Sequence, residues 1–310
     1  MKVCWGRHRV PVLATGSVMT IGTFDGVHRG HQALLSRLSE RARAMGLPSV
    51  VVVFEPQPAE YLYPDRAPPR LTTLREKLNV FQEMGIDHVC CLRFNSQLAS
   101  LSFTEFAEQK LFQGWNARHI IVGRDFRFGR NREGGVEELA LLAKARAATT
   151  EVFEDFTLDG ERVSSTRIRA AEAAGDLILA EHLLGRPASL EGRVVRGHGR
   201  GATWGFPTAN IALSRKNTAL RGVFCVWVQG VGDTQLPGVA NLGMRPTVDG
   251  KRLVLEVHLL HPAGNLYGKR LNIAFVHKLR DEMKFDTIDD LIARIRADAL
   301  AARAWFAGLN

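Results

Sequence analysis

No stretch of this 310-residue chain approaches the ~20 uninterrupted apolar residues that a membrane-spanning helix needs. The start, Met1 to Val12, carries charge and lacks the apolar core of a signal peptide. The four cysteines, Cys4, Cys90, Cys91 and Cys225, include no C-x-x-C pair, which removes a zinc knuckle or a redox dithiol. Adjacent Cys90 and Cys91 lie in an apolar run and read as buried thiols. There is no G-x-x-x-x-G-K-[ST] phosphate loop and no Lys/Arg-rich run. Yet 41 Lys+Arg stand against 32 Asp+Glu, a formal net charge of +9, which favours polyanionic partners. The arginines stand singly, beside glycines or on helix faces, a pattern suited to phosphate pockets rather than a nucleic-acid tail. These absences lead us to expect a cytoplasmic protein with neither membrane nor nucleic-acid partner. No feature of the sequence specifies an oligomeric state.

What is present divides the chain in two, as its length suggests. Ser17–Ile21 reads as a strand, followed by a Gly-rich turn and a helix with Leu34, Leu35, Leu38, Ala42 and Met45 on one stripe, stopping at Gly46. Val50–Phe54 is apolar without alternation, as a strand covered on both faces is. Helix Leu74–Met84, strand Asp87–Leu92, helix Phe103–Leu111, strand His119–Val122, helix Val136–Ala147 and strand Glu151–Phe153 continue the rhythm. That order predicts an α/β domain built on a doubly wound parallel sheet. The rhythm breaks at Leu184–Pro187. Strands Leu190–Val195, Gly222–Gln229, Leu236–Asn241, Leu253–Leu260 and Leu271–His277 follow, then one helix over Thr287–Trp305. Consecutive strands closed by a single helix predict a small all-β closed barrel. We therefore expect domains at 1–186 and 187–310.

The first cluster with chemistry is Gly22-Thr23-Phe24-Asp25-Gly26-Val27-His28-Arg29-Gly30-His31, between the first strand and the first helix. In a parallel sheet that is where a ligand crevice opens. The glycines allow close backbone approach, and the helix N-terminus favours phosphate. His28 and His31, three apart, can both face one phosphate from the first turn. As imidazolium groups they would stabilise charge on an α-phosphate and its pyrophosphate leaving group. The pair also fits a metal site, though the H-E-x-x-H spacing and a third ligand are missing, or plain helix capping. H-x-G-H after a first strand resembles the ATP signature of the nucleotidyltransferase superfamily. That group pairs it with a late hydroxyl- and base-rich loop, matched here by Val163-Ser164-Ser165-Thr166-Arg167-Ile168-Arg169. Ser164 or Ser165 could equally serve as an N-cap there. Phe54–Pro58 and Val122–Gly129 each follow a strand end on the same side, with aromatics and arginine suited to a flat ring carrying phosphate.

The second cluster is the glycine-rich run from Gly192 to Asn210. Gly197-x-Gly199-x-x-Ala202 matches a dinucleotide fingerprint formally, but Gly205 and Pro207 interrupt any helix, so the match fails. A Gly-rich flap with arginines can still cradle phosphates through backbone N–H groups. Thr208 and Asn210 offer oxygens of the kind Mg²⁺ takes beside substrate phosphates. In Leu253–Leu260, Glu256 and His258 lie on the face opposite Leu253, Leu255, Val257 and Leu259. Glu256 there is either a proton acceptor for an attacking hydroxyl or part of an ordinary solvated strand face.

Taken in order, these segments resemble the bacterial bifunctional riboflavin kinase/FAD synthetases over nearly the whole chain. The most specific parts are F-D-G-V-H-x-G-H (Phe24–His31), P-T-A-N (Pro207–Asn210) and N-L-G-x-R-P-T (Asn241–Thr247). The resemblance implies a barrel that phosphorylates riboflavin with ATP, giving FMN and ADP, and an N-terminal domain that adenylates FMN to FAD with release of pyrophosphate. It implies that Gly22, Phe24, His28, Gly30 and His31 bind ATP in the first domain, with the two histidines catalytic and Ser165, Thr166 and Arg167 holding the phosphates. Phe54, Pro56, Pro58, Asp125, Phe126 and Phe128 would position the flavin. In the barrel, Gly205, Pro207, Thr208 and Asn210 would bind ATP, the last two with Mg²⁺, and Glu256 would be the base. Two departures stand out: Gln57 replaces the histidine of the usual F-x-P-H-P, and Asp125 stands where other members can have Asn. An RNA-handling enzyme of the synthetase type, or a non-catalytic flavin- or RNA-binding regulator, are the rival readings.

Overall fold

Every second residue of Val50–Val53 serves a different core, which explains a run without alternation. Val50 and Val52 belong to one buried cluster, and Val51 and Val53 to another on the opposite face. Cys90 and Cys91 divide the same way, and both are free thiols. The structure, a computed structural model, describes residues 1–6, 13–197, 201, 204–215, 217–247 and 250–309, with backbone alone at 246, 247 and 250–252. The chain forms two compact units, one of Met1–Pro68 with Leu74–Ser164 and one of Pro69–Thr73 with Ser165–Asn310.

The first unit holds strands β1 (Lys2–Trp5), β2 (Ser17–Ile21), β3 (Ser49–Glu55), β4 (His88–Arg93), β5 (Ala117–Gly123) and β6 (Thr149–Phe153). They form one parallel sheet in the order β1-β4-β3-β2-β5-β6. Its helices are α1 (Arg29–Met45), α2 (Pro58–Leu62), α3 (Leu74–Glu83), α4 (Ser96–Ala99), α5 (Phe103–Phe106), α6 (Gln113–Trp115) and α7 (Val136–Ala145). The expected doubly wound sheet is present, and its winding reverses between β2 and β5. α1 buries Leu34, Leu35, Leu38 and Ala42 and ends at a left-handed Gly46. Leu35 and Leu38 are fully buried, each stabilising the fold by about 1.5–3 kcal/mol. Met45, expected on that stripe, is exposed instead.

Three features depart from the sequence reading. The edge strand β1 was not expected, because a four-residue stretch with three exposed positions carries no period. The helix expected over Phe103–Leu111 widens into a π turn at Ala107–Phe112, which turns Phe106 and Leu111, five apart, into the same core. A small hairpin, β7 (Thr157–Leu158) with β8 (Glu161–Arg162), turns through Asp159 at φ 54° and Gly160 at φ 77°. Asp-Gly is a sequence signal for such a turn.

In the second unit, β9 (Ala188–Val195), β10 (Ala209–Leu213), β11 (Gly222–Gln229), β12 (Leu236–Thr247), β13 (Gly250–Leu259) and β14 (Arg270–Arg280) close a barrel in the order β10-β13-β12-β11-β14-β9. Every pairing is antiparallel. β9 alternates without exception, Ala188, Leu190, Gly192 and Val194 being buried. β10, expected only as a turn, is the strand that closes the ring. Two helices, α8 (Ser165–Ala174) and α9 (Leu177–Leu184), precede the barrel, and α10 (Ile288–Ala307) follows it. Thr287 caps α10, its hydroxyl accepting from Asp290 N at 3.1 Å. α10 covers the outer wall of the barrel, where Trp227 and Phe306 meet at 4.6 Å and His277 stacks on Trp305. No helix among the described residues is long and apolar enough to cross a membrane.

Candidate active sites

The loops that carry the first motif and the Arg124–Phe128 segment leave the C-terminal ends of β2 and β5, the two strands where the sheet reverses. That is the place an open parallel sheet leaves for a ligand. The Gly22–His31 loop is held in a strained path: Phe24, Gly26 and Val27 have φ of 47°, 84° and 39°. Phe24 and Val27 are buried side chains in the left-handed region, and the turn closes with Val27 N donating to Phe24 O at 3.1 Å. Gln32 Nε2 donates to Val27 O at 2.8 Å and pins the exit into α1. A Cβ on Gly30 would crowd the His28 ring at 3.3 Å, so glycine eases this close approach.

His28 caps α1: its Nδ1 accepts from His31 N at 3.3 Å. That acceptor role leaves the ring proton on Nε2. The two imidazoles stack with centroids 3.6 Å apart, and Phe24 meets His31 edge-on at 5.1 Å. His31 Nδ1 is buried with no hydrogen-bond partner among the described residues. Burial first, then the neighbouring His28 and Lys77, holds the His31 imidazole well below its ordinary 6.5. The expectation of two imidazolium groups is therefore corrected at His31, which is a neutral ring near pH 7. Lys77 on α3 was missed. It is 1% exposed, and its Nζ donates to Thr23 O at 2.7 Å. Its signal was a lysine on the stripe of Leu74, Leu78 and Phe81, which pack in the same core.

Phe54, Phe126 and Phe128 fall in one aromatic cluster. Phe126 stacks on Phe128 at 5.3 Å, Phe106 lies 6.0 Å from Phe128, and Phe54 touches Phe94 and Phe106. Phe94 and Phe106 were not singled out from sequence, since each follows or sits in an unremarkable apolar stretch. Pro56 follows a cis peptide bond, and Pro58 opens α2. Gln57 between them is 7% exposed, with Nε2 buried and without a partner among the described residues. Asp125 is exposed and pairs with Arg162, which also pairs with Asp155. That guanidinium holds the Asp125 carboxyl below the usual carboxylate range. Ser165, Thr166 and Arg167 belong to the second unit, where they form the first turn of α8.

The barrel site lies on the outer wall facing the first half of α10. Asn210 on β10 and Asn241 on β12 are the direct cross-strand neighbours of Glu256 on β13. The three polar side chains thus line up across adjacent strands, while Leu253, Leu255 and Val257 fill the interior. Arg245 Nη2 lies 2.9 Å from Glu256 Oε2. The row opens into a cavity of about 550 Å³ with Thr208, Arg280, Phe285 and Asp298 on its walls. A second cavity, of about 600 Å³, shares Phe206, Thr208, His258 and Ala299 with the first and extends over Gly205, Pro207 and Tyr267. Pro207 O bonds His258 Nδ1 at 2.9 Å. A Cβ on Gly201 would meet Phe206 O and Thr208, and one on Gly197 would meet the Asn210 amide, so glycine at each position makes room for these groups. Gly201 itself has helical backbone, whereas a helix-free turn was expected. Gly199 and Ala202 of the rejected fingerprint lie outside the described residues. Arg280 chelates Asp298 of α10 at 2.7–3.1 Å and clamps the helix to β14. The described residues contain no cluster of His, Cys, Asp or Glu able to hold a metal.

Two families match successive parts of the chain: FAD synthetase over residues 11–167 and riboflavin kinase over 184–306. The bifunctional riboflavin kinase/FMN adenylyltransferase of Escherichia coli K12 is 45% identical over 307 residues, spanning 99% of this chain and 98% of that protein. Its namesake from Pseudomonas fluorescens is 47% identical over 305 residues, spanning 98% and 97%. Among solved structures, a macrolide-efflux protein from Streptococcus pneumoniae superposes with a TM-score of 0.84 at 30% identity, over 98% of this chain and 100% of that one. Matching both halves in order and at nearly full length, the chain belongs to the bifunctional riboflavin kinase/FMN adenylyltransferase family.

Proposed function

We propose that this protein phosphorylates riboflavin with ATP to give FMN in its barrel, and adenylates FMN with a second ATP to give FAD in its parallel-sheet domain. Residues 1–186 and 187–310 are the spans we assign to the two activities, and the cytoplasm is where we place them. The observation that carries the reading is Glu256 between Asn210 and Asn241, at the wall of a cavity that shares Phe206, Thr208 and His258 with a second one. Two adjacent cavities that share walls, one of them carrying a carboxylate, suit a transfer between two bound molecules.

In the kinase step, Glu256 accepts the proton of the ribityl 5′-hydroxyl as that oxygen bonds to the γ-phosphorus and the bond to the β-phosphate oxygen breaks. Arg245 beside it orients the carboxylate. The flavin lies in the cavity against α10 and the nucleotide in the one over Gly205 and Pro207. Thr208 and Asn210, hard oxygen donors packed close to Gly201 and Gly197, fit Mg²⁺, which takes few protein ligands and several phosphate oxygens. The ion would neutralise charge on those phosphates.

In the adenylation step, an FMN phosphate oxygen bonds to the α-phosphorus of ATP and pyrophosphate leaves. His28, carrying its proton on Nε2, and the neutral His31 donate to phosphate oxygens at the N-terminus of α1. Gly22, Phe24 and Gly30 shape the loop, Ser165, Thr166 and Arg167 supply hydroxyls and charge, and Phe54, Pro56, Pro58, Asp125, Phe126 and Phe128 hold the flavin ring. Both steps depend on positioning and charge stabilisation. Incubating the chain with riboflavin, ATP and Mg²⁺ and separating the flavins tests this: FMN appears first and FAD follows. ATP–pyrophosphate exchange that requires an amino acid and ignores FMN would mean an RNA-directed enzyme instead.

A further inference from the structure

The chain crosses between its units more than once. It leaves the first after Pro68, lends Pro69–Thr73 to the second, and returns at Leu74, the first residue of α3. Two arginines of the second unit grip this five-residue strap by its backbone. Arg169 Nε on α8 donates to Pro69 O at 2.7 Å, and Arg215 Nη1 donates to Arg70 O at 3.2 Å and Leu71 O at 3.0 Å. Arg215 is 8% exposed, and Leu71 and Thr72 are buried beside it. A guanidinium desolvated this far stays only where its donors are used, and here they fix backbone carbonyls. Arg215 follows β10, the strand that carries Asn210, by two residues.

Beyond the strap, α3 brings Lys77 to the first ATP loop. Lys77 is buried, and its Nζ holds the carbonyl of Thr23, next to Phe24, where the backbone enters its left-handed turn toward His28 and His31. Packing does not call for a lysine on that apolar stripe. Its burial is compensated by what it holds. Thr73 and Leu74 share a peptide bond, so the strap runs covalently into α3.

We propose that Arg215 and Arg169 are positioning residues for FMN adenylation: by fixing Pro69–Thr73 they set Lys77, and through the Thr23 carbonyl they set the Gly22–His31 loop. The inference rests on reading that loop as the ATP site. It gives a barrel residue control over the chemistry of the other half along the covalent chain, without contact with its substrate. Spatial continuity alone does not establish coupling, so the test is a double-mutant cycle.

In the full chain, FMN-to-FAD and riboflavin-to-FMN rates are measured separately for the unsubstituted protein, Arg215→Ala, Lys77→Met and the double variant. Arg215→Ala lowers the adenylation kcat by about tenfold, within the range found for residues that act through others, and leaves riboflavin phosphorylation within about twofold. The double variant is no slower than Lys77→Met alone, and Arg215→Lys recovers part of the loss. A role in stability alone would depress both reactions together and show no such non-additivity. Unchanged adenylation, losses that multiply, or parallel loss of both reactions would each overturn the proposal. If circular dichroism shows Arg215→Ala unfolded, Arg215→Lys takes its place in the cycle with the same criteria. An unsubstituted chain that makes no FAD from FMN refutes the functional reading; one that does, with an additive cycle, refutes the relay alone.

Discussion

The two phosphate-handling regions solve the same problem with different materials. In the first unit the site is one continuous loop: glycines, a strained turn and a helix N-terminus present backbone N–H groups, and the two imidazoles of the same loop stack on each other. In the barrel the site is a row of side chains, Asn210, Glu256 and Asn241, brought together because β10 lies beside the β12–β13 hairpin and the register places all three opposite one another. The first is a local device that tolerates little change in backbone. The second depends on strand register, since a slip of one residue would turn Glu256 into the interior.

Exchanging the two outcomes is the strongest way to break that comparison. Glu256→Ala lowers FMN formation by about 10²–10⁴-fold, the usual worth of a general base, and leaves FMN-to-FAD conversion intact. His28→Ala does the reverse, lowering adenylation by about 10²-fold as one phosphate donor and the α1 cap are lost. Flavin chromatography from each substrate reads both. If either substitution silences both reactions in a folded protein, the assignment of one site to each half is wrong.

The halves also differ in how a helix is tied to its sheet. Asp298 of α10 is 6% exposed and takes three hydrogen bonds from Arg280, with Arg294 at 3.2 Å. In the first unit Glu151 of β6 receives Arg37 and Arg41 of α1, both at 2.7 Å, but these partners are a third or more exposed. Asp298→Ala leaves a buried guanidinium unpaired and should cost about 3–5 kcal/mol, lowering the melting temperature of the barrel and silencing the kinase first. Glu151→Ala, a screened pair, should cost about 1 kcal/mol or less. Equal losses in thermal unfolding would remove the distinction between the two clamps.

These differences match what could be read in the residues beforehand. The Gly22–His31 loop was legible because its chemistry is contiguous, and Glu256 because alternation placed it opposite Leu255 and Val257. Asn241, its neighbour across the register, appeared only as part of N-L-G-x-R-P-T, since which residues face each other across a hairpin depends on a register that the connection between β12 and β13 sets. β10 escaped notice because Pro207 and Asn210 read as turn formers, although a proline at or before a strand's start leaves its ladder intact. Lys77 and Arg215 are charged residues whose burial depends on which backbone carbonyls the fold delivers to them. The protonation of His31 was misjudged for the same reason: sequence shows the histidine but not the Phe24 ring and the lysine packed around it.

A further contrast concerns that histidine and separates a neutral ring from a charged one. Burial, His28 and Lys77 depress the folded-state pKa of His31 below its ordinary 6.5, so the unfolded chain takes up a proton there before the native state does. Stability is therefore fully present above about pH 6.5 and falls as pH drops below it, by at most about 1.4 kcal/mol per pH unit until the folded ring also protonates. His31→Gln removes that proton and should flatten the acid side of the stability curve measured by denaturant unfolding between pH 7.5 and 5. If the two curves run parallel, His31 is not held neutral. The rate speaks to the same point from the other side: an imidazolium at 31 would make adenylation quicken as pH falls through the ordinary histidine range. A neutral donor, already proton-bearing at either ring nitrogen, gives a rate without that rise.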